Sequence, residues 1–332
     1  MPNVLYTQLV NKFKENDLEG FKALLDGPNS QPNIYGNFGD PLIGSIISNE
    51  YTHDKIPFIT VLINKGVDLE AYSSLGSPFE WAATHGTLAM VQLLLSDNRG
   101  SSDSINKMLL AACRRSFKAD SNETTEIIKY LIESKGANVD YCNSNVSALM
   151  RAVEEGTLDV VVYLLSKQAD LTLIKPTARM TPNPKKWTVL SEAYSQWISA
   201  IGPLKNSSDY VAKRRRILDL LLDAAKQYIL AKANSGEPFA EQIIAELAGT
   251  FRGVYKEANH VALAAEIRDK AYLPAQKIHC LNTVFIETNL VELNTQKLIV
   301  SYFDSFLLDS ELENENKVVQ DALVAEKISY KH

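Results

Sequence analysis

Two ten-residue stretches, residues 86–95 (GTLAMVQLLL) and residues 156–165 (GTLDVVVYLL), superpose without a gap and lie 70 residues apart. A more divergent copy, residues 16–25 (NDLEGFKALL), lies another 70 residues upstream. Two further copies fall between these three and end at Ile63 and Ile132. The five copies close at a mean spacing of 35 residues, which indicates an internal repeat.

Each copy has the apolar spacing of an amphipathic helix. In the clearest copy, apolar residues recur at intervals of three and four, at Leu158, Val161, Val162 and Leu165. Gly66 and Gly136 follow two of these helices, where a glycine suits the left-handed position that ends a helix. The pattern predicts one helix per copy, closed by a turn.

A shorter helix with small residues is predicted before each copy. Residues 77–83 (SPFEWAA) and 147–153 (SALMRAV) begin with serine, and Asp40 and Thr188 begin two more such segments. Ser, Thr and Asp are preferred helix N-caps, and proline fits the first helical position. The alanines allow two helices to approach closely, so the repeating unit is a helix pair.

This unit resembles the ankyrin repeat: a turn, a helix that opens T-P-L-H-x-A-A, a second helix and then G-A-D-V-N. The resemblance extends over residues 3–232 as about six units, of which residues 77–80 (SPFE) come nearest to the opening motif. The first unit lacks a clear motif for the opening helix. Tetratricopeptide units lack the glycine-bounded turn, which favours ankyrin. The resemblance implies an all-α solenoid with a concave, protein-binding surface.

The sequence predicts three segments. Residues 1–235 form the ankyrin repeat array, with an insertion around 174–209 that contains proline-rich loop; the insertion is either a contact site or a tolerated extension. Residues 236–309 continue as a helical C-terminal domain or cap that covers the last repeat. Residues 310–332 form a flexible acidic tail.

Charge and apolar content exclude several classes of protein. Residues 1–235 hold 25 basic and 25 acidic side chains, and residues 236–332 hold 9 and 15, so the acidic excess lies in the second part. An acidic chain is a poor ligand for phosphate backbones, so no nucleic acid is expected as partner. No apolar run reaches the length of a transmembrane segment, and residues 1–20 lack the apolar core of a signal peptide. We expect a cytoplasmic fold.

No catalytic motif is present in the sequence. A pairing of Cys280 with His260 is open in space but has no supporting signature, and a structural cysteine is the simpler interpretation. Three scattered cysteines form no zinc pattern. The basic stretch 213–216 (KRRR) is either a nuclear localisation signal or the solvated start of a helix. We assign no catalytic residue, metal ligand or cofactor.

The acidic tail carries a second resemblance. Glu311, Glu313 and Glu315 alternate with other residues, which is similar to the glutamate-rich signals of bacterial type IV effectors such as those of Legionella. Ankyrin arrays are frequent among such effectors. The resemblance implies secretion into a host cell and a host protein as partner, and the alternative is a merely solubilising end.

The function expected from the sequence is non-enzymatic recognition of a protein. Candidate partner-binding residues are aromatic or imidazole side chains in the turns and on the first helices: Tyr35, Phe38, Tyr72, Trp81, His85 and Tyr141. Because turn tips project from the stack, we expect the rings of Tyr72 and Tyr141 to be substantially exposed on the same edge. Trp81 has an equally open interpretation as packing between helices. The alternative function is an effector enzyme, in which the repeats choose a target for chemistry in residues 236–309.

Overall fold

The computed structural model describes residues 4–28, 31, 33–36, 39–73, 76–115, 121–144, 146–173, 175–176, 186–201 and 207–235. The chain divides into two compact units, residues 1–170 and 171–332. The predicted C-terminal domain (236–309) and tail (310–332), together with Phe38, Cys280 and His260, lie outside the described residues. The predicted boundary at residue 235 therefore stays a prediction.

The first unit consists of five consecutive helix pairs. They are α1 (Val4–Lys14) with α2 (Leu18–Leu25), α3 (Leu42–Ser48) with α4 (Ile56–Asn64), α5 (Pro78–His85) with α6 (Leu88–Leu94), α7 (Ser102–Cys113) with α8 (Ser121–Lys129), and α9 (Ala148–Glu155) with α10 (Leu158–Ser166). A 3₁₀ turn, Ser96–Asn98, follows α6, and a π-helical turn, Tyr130–Ser134, extends α8. The predicted all-α class and the five repeated helices are confirmed.

The first repeat has an opening helix of its own, which its sequence does not mark with a motif. Residues 4–14 form a full opening helix, α1, although they carry no recognisable motif. Its helical face is supplied by Leu9 and Phe13, which are buried, so ordinary apolar spacing replaces the cap-and-proline opening.

Helix caps follow the sequence in most repeats. The Ser77 hydroxyl accepts from the Glu80 amide and the Glu80 carboxylate accepts from the Ser77 amide, a reciprocal capping box. The Ser147 hydroxyl likewise caps α9 by accepting a hydrogen bond from the Met150 amide. Gly66 and Gly136 have φ of +80° and +72°, the left-handed conformation expected after α4 and α8. Asp40 is a correction: Pro41 is the N-cap of α3, without a side-chain cap.

The core of the first unit lies between the two helix layers. First helices contact one another in succession from α3 to α9, and second helices do so from α6 to α10. Ala82, Ala83 and Ala112 are fully buried where α5 meets α7, so small side chains permit the close approach. Near the first repeat, Phe58 meets Phe13 and Phe21 edge-on, with ring centroids 5.2 Å apart in each case.

Short strands and two longer helices complete the described structure. Strands β1 (Cys142–Asn143) and β2 (Val146–Ser147) pair in antiparallel fashion directly before α9. In the second unit, β3 (Lys175–Pro176) pairs with β4 (Lys186–Trp187), so the two ends of the predicted proline-rich loop are joined as a hairpin base. Helices α11 (Val189–Ile201) and α12 (Ser208–Ser235) follow and pack on each other.

Candidate protein-interaction edge

The turns between helix pairs are joined by one recurring hydrogen bond. In three cases a side-chain oxygen in one turn accepts from a backbone amide in the next, and in the fourth the acceptor is Asn106, near the start of α7. The pairs are Asn33 with Asp68 (2.7 Å), Glu70 with Ser101 (3.2 Å), Asn106 with Asn138 (2.7 Å) and Asp140 with Asp170 (2.7 Å). These bonds fix the turns side by side. We call this surface of the first unit the turn edge; it consists of residues 33–36, 66–73, 99–107, 136–144 and 168–170.

Tyr72 is the most exposed large apolar side chain among the described residues. It retains 68% of its accessible surface, and it lies in the turn that leads to α5. The Nζ atom of Lys107, on α7 of the next pair, lies 5.8 Å from the centroid of the Tyr72 ring. This is cation–π geometry, which orients the ring without covering it. The predicted exposure of Tyr72 is therefore confirmed.

Asp103 connects Lys107 to the following turn. Its carboxylate lies 2.7 Å from Lys107 Nζ and accepts a 2.7 Å hydrogen bond from the Tyr141 hydroxyl. The bonds to Lys107 and Tyr141 hold the pKa of Asp103 below its usual value. Tyr72, Lys107, Asp103 and Tyr141 thus form a continuous row over three successive helix pairs, which we call the tyrosine row.

The expectation that Tyr141 projects freely was wrong. Its ring is half-buried, and its hydroxyl is directed back to Asp103. Partial burial, and then the hydrogen bond to Asp103, raise the pKa of the Tyr141 hydroxyl. Tyr141 therefore contributes to the attachment of neighbouring repeats, which an exposed turn aromatic would not do.

For Trp81 the structure favours the second of its two interpretations, packing between helices, over an accessible anchor. Only 6% of its surface is exposed, and its indole covers Gly44 on α3. Gly44 occupies the place in α3 that Trp81 occupies in α5, counted from the prolines at 41 and 78. The missing side chain in one repeat makes room for the large side chain in the next.

The other predicted partner-binding residues are not brought together with the tyrosine row. Tyr35 is 39% exposed and forms a bridge with Pro41 in the first turn of the edge. His85 ends α5, at the opposite end of that helix from Ser77. The desolvated part of the His85 ring, together with the positive charges of Arg115 and Lys55, lowers its pKa, so His85 is neutral at pH 7.

An ionic clamp at the far end of α5 was not predicted. Buried Arg115 donates from Nη1 to the carbonyl of Gly86 (2.7 Å) and to that of Ala83 (3.3 Å), which are buried carbonyls at the C-terminal end of α5. Glu123 on α8 accepts from the Leu88 amide at the start of α6 (3.1 Å), and its other oxygen lies 3.9 Å from Arg115. The clamp ties the turn between α5 and α6 to the next pair. The sequence shows that Arg115 and Glu123 carry opposite charges, but it does not indicate which backbone groups they bind.

The basic stretch 213–216 lies within α12, six residues after its start. Arg214 is buried and donates to the Tyr210 hydroxyl, and Arg215 lies over the Trp197 ring, 5.4 Å from its centroid. Lys213 and Arg216 are exposed. Two of the four cations therefore serve packing within the second unit, so the stretch is more than a solvated helix start.

Reactive groups are sparse in the part of the chain that the structure describes. No cluster of three or more potential metal ligands is found among those residues. Cys113 is buried in α7, and burial raises its pKa to about 12. Cys142 is exposed in the turn edge, and partial burial with the nearby Asp140 and Asp170 raises its pKa. No described helix has the length and apolarity needed to cross a bilayer.

Comparisons with known proteins found one family match and several similar solved structures. A family model described as "Ankyrin repeats (3 copies)" matches residues 106–175. Similar solved structures include the ankyrin repeat protein EF0377, with 19% identity over 64% of this chain and 96% of that one and a TM-score of 0.45. An ankyrin repeat domain from Acinetobacter baumannii AYE has 21% identity, 65% and 96% coverage and a TM-score of 0.43. The ankyrin repeat domain of Bcl-3 has 18% identity, 64% and 97% coverage and a TM-score of 0.42. No curated protein sequence matches this chain.

The family match supports the resemblance that the repeats predicted, and the fold is an ankyrin-repeat solenoid followed by further chain. Its 70 residues extend from α7 to the start of β3 and include Lys107 and Tyr141. Ankyrin repeats are protein–protein interaction modules, so the chain is expected to have a protein partner.

Proposed function

We propose that this chain is a non-enzymatic recognition protein whose turn edge binds a partner protein. The observation that carries the proposal is Tyr72, 68% exposed on an edge that side-chain bonds hold in place. Aromatic side chains dominate the energies of protein interfaces, and a large exposed ring contributes little to its own fold. Turns that are held together by hydrogen bonds also lose less conformational entropy on binding.

The proposed surface runs along the tyrosine row. Tyr72 is its accessible ring, Lys107 and Asp103 supply paired charge beside it, and Tyr141 is held to the row through its hydroxyl. Tyr35 lies in the first segment of the same edge and extends the proposed surface. Phe38 lies outside the described residues and is kept as a proposed partner-binding residue from the sequence alone. Trp81 is left out because its indole is buried, and His85 is left out because it lies at the other end of α5.

The partner is proposed to be a host protein, which the chain meets after export by a type IV system. This part of the proposal is supported by the glutamate-rich stretch 310–332 alone. A translocation reporter fused to the chain tests it. Deletion of residues 310–332 should abolish delivery, and replacement of Glu311, Glu313 and Glu315 by glutamine should reduce it. Delivery at an unchanged rate by both variants would remove export from the proposal.

Affinity capture with the full chain tests the binding role. The wild type and Tyr72→Ala should be compared on the same lysate, with Val162→Ala as the control. Val162 is 47% exposed on α10, so its truncation removes a similar type of surface away from the turn edge. A specific partner should be retained by wild type and Val162→Ala and weakened by about 2 kcal/mol or more for Tyr72→Ala. Equal capture by all three proteins would contradict the assignment of the edge.

A further inference from the structure

The charged side chains of the turn edge indicate what kind of partner segment it binds. This inference rests on the proposed function. Segments 66–73, 99–107, 136–144 and 168–170 carry five carboxylates: Asp68, Glu70, Asp103, Asp140 and Asp170. The same segments carry two cations, Arg99 and Lys107. Arg99 pairs with Asp97, just outside the edge, so its charge is already matched. Lys65, Lys135 and Lys167 directly precede three of these segments and are already engaged, with Asp26, the Leu95 carbonyl and Glu133 respectively. Within the segments themselves carboxylates outnumber cations, so we call them the acidic strip.

The carboxylates retain capacity to accept further hydrogen bonds. Asp140 accepts the Asp170 amide through Oδ1. Glu70 accepts the Ser101 amide through Oε1 and the Ser104 hydroxyl through Oε2. An ionised carboxylate offers about four lone-pair sites, so such contacts do not saturate it. These bonds instead fix where the negative charge lies. An ordered acidic strip selects a cationic ligand more strongly than mobile surface carboxylates would.

The tyrosine row shows that this edge accommodates an alkylammonium group. Lys107 Nζ lies 2.7 Å from the Asp103 carboxylate and 5.8 Å from the centroid of the Tyr72 ring. The bonds to Asp103 raise the pKa of Lys107, which marks the position as one that favours positive charge. Tyr72 still exposes most of its surface to solvent, so a second cation can approach it. An aromatic ring beside a carboxylate is a recognition element for lysine and arginine.

We propose that the turn edge docks an extended, lysine- or arginine-containing segment of the partner protein. One partner cation lies against Tyr72, and others pair with Asp103, Asp140 and Asp170 along the strip. Three repeat steps separate Tyr72 from Asp170. With packed helices about 10 Å apart and an extended chain rising about 3.3 Å per residue, a segment of about ten residues spans them. Lys107 already occupies part of the cation position and therefore competes with the partner.

A synthetic peptide pair tests the charge requirement directly. The first probe is a fluorescent peptide of about ten residues in which arginine and lysine alternate with serine and glycine. The second probe has glutamine at each arginine and lysine. The full chain should bind the basic probe, with an affinity that falls as salt rises, and should bind the glutamine probe at least tenfold more weakly.

Two substitutions of opposite expected sign separate docking from damage to the fold. Asp140→Asn keeps an oxygen that can accept a hydrogen bond from the Asp170 amide but removes one negative charge. It should lower the affinity for the basic probe about two- to fivefold. Lys107→Gln removes the competing cation and should raise the affinity for the basic probe by a similar factor. Lys129→Gln makes the same charge change on α8, a second helix, and should leave the affinity nearly unchanged.

Equal binding of the two probes would overturn the inference, and so would weaker binding by Lys107→Gln. If affinity capture still depends on Tyr72 while the basic probe does not bind, the edge binds a partner of other chemistry and the proposed function stands. If capture is independent of Tyr72 and the basic probe binds with the expected variant effects, the edge is a cation-binding surface that the captured partner does not use.

Discussion

The indole of Trp81 occupies the space that any side chain at Gly44 would need. A β-carbon built on Gly44 would lie 1.7 Å from Cζ3 of Trp81 and 1.9 Å from Cε3, far closer than atoms can approach. The two residues hold corresponding places in α3 and α5. The absence of a side chain at Gly44 in one repeat therefore makes room for the indole in the next. The contact explains why Trp81 packs between the helices and is buried.

We predict that Gly44→Ala destabilises the protein by about 1–3 kcal/mol, because the indole must shift in a packed core. Alanine is the better helix former by about 1 kcal/mol, so the sign of the effect is informative. In a Trp81→Leu background the clash is relieved, and Gly44→Ala should be neutral or stabilising. Urea unfolding of the four proteins measures this cycle. The same cost in both backgrounds would contradict the packing described here.

The Arg115 clamp is predicted to stabilise the attachment of α5 and α6 to the next pair. Arg115→Ala removes the donor to the Gly86 and Ala83 carbonyls and leaves Glu123 without that partner, which should cost about 2–4 kcal/mol. Arg114→Ala is the matched control, because Arg114 is exposed and adjacent and the charge change is identical. It should change stability by less than about 0.5 kcal/mol. Thermal unfolding compares the two variants, and equal losses would show that the clamp is not formed.

The tyrosine row predicts different responses from its two rings. Tyr141→Phe removes the hydroxyl that donates to Asp103 and should cost about 0.5–1 kcal/mol. Tyr72→Phe changes a side chain that is mainly exposed and should be neutral within about 0.5 kcal/mol. Urea unfolding at neutral pH distinguishes the two. A larger loss from Tyr72→Phe would mean that the exposed ring is the structural one.

The stability difference between wild type and Tyr141→Phe should depend on pH in a defined direction. The pKa of Asp103 is lowered from 3.8 in the folded state, so its contribution is present above that value and is lost as pH falls through the lowered pKa. The pKa of Tyr141 is raised from 10.0, so its contribution is present below that value and is lost as pH rises through the raised pKa. Unfolding curves measured from acid to alkaline pH should show the full stability difference between wild type and Tyr141→Phe only at pH values between the two pKa values. A difference that grows in acid would contradict the Tyr141–Asp103 bond.

The two described cysteines should react very differently with thiol reagents. In a Cys280→Ser background, native protein should be labelled at Cys142, which is exposed, and the rate should rise with pH because its pKa is raised. Cys113 is buried with a pKa of about 12 and should react only after unfolding. Mass spectrometry of the labelled peptides reads out both sites. Early labelling of Cys113 would place α7 differently.

The repeat architecture could be predicted because its signals are local and recur. The cap at Ser77, the glycines at 66 and 136 and the three- and four-residue apolar spacing each act within one helix and its turn. The motif of α1 was unclear because burial of Leu9 and Phe13 forms that helix without a cap motif.

The details of the candidate site depend on contacts between repeats, which one repeat's sequence does not specify. Exposure of Tyr72 could be predicted from its turn, but Tyr141, in a nearly equivalent turn, is held by Asp103, 38 residues earlier. The spacing of Asp103 and Lys107, four residues apart on α7, was a signal for a helical ion pair. That this pair would lie under Tyr72 followed only from the stacking of neighbouring helix pairs.

Site-specific photo-crosslinking tests the central claim, recognition through the turn edge, most directly. A benzophenone amino acid is placed at position 72 in one protein and at position 162 in another, since both native side chains are exposed, in the turn edge and on α10 respectively. The crosslinked partner segment is then sequenced by mass spectrometry. The account predicts a specific adduct from position 72, within a lysine- or arginine-containing segment, and none from position 162. Adducts from position 162 alone, with none from position 72, would contradict it.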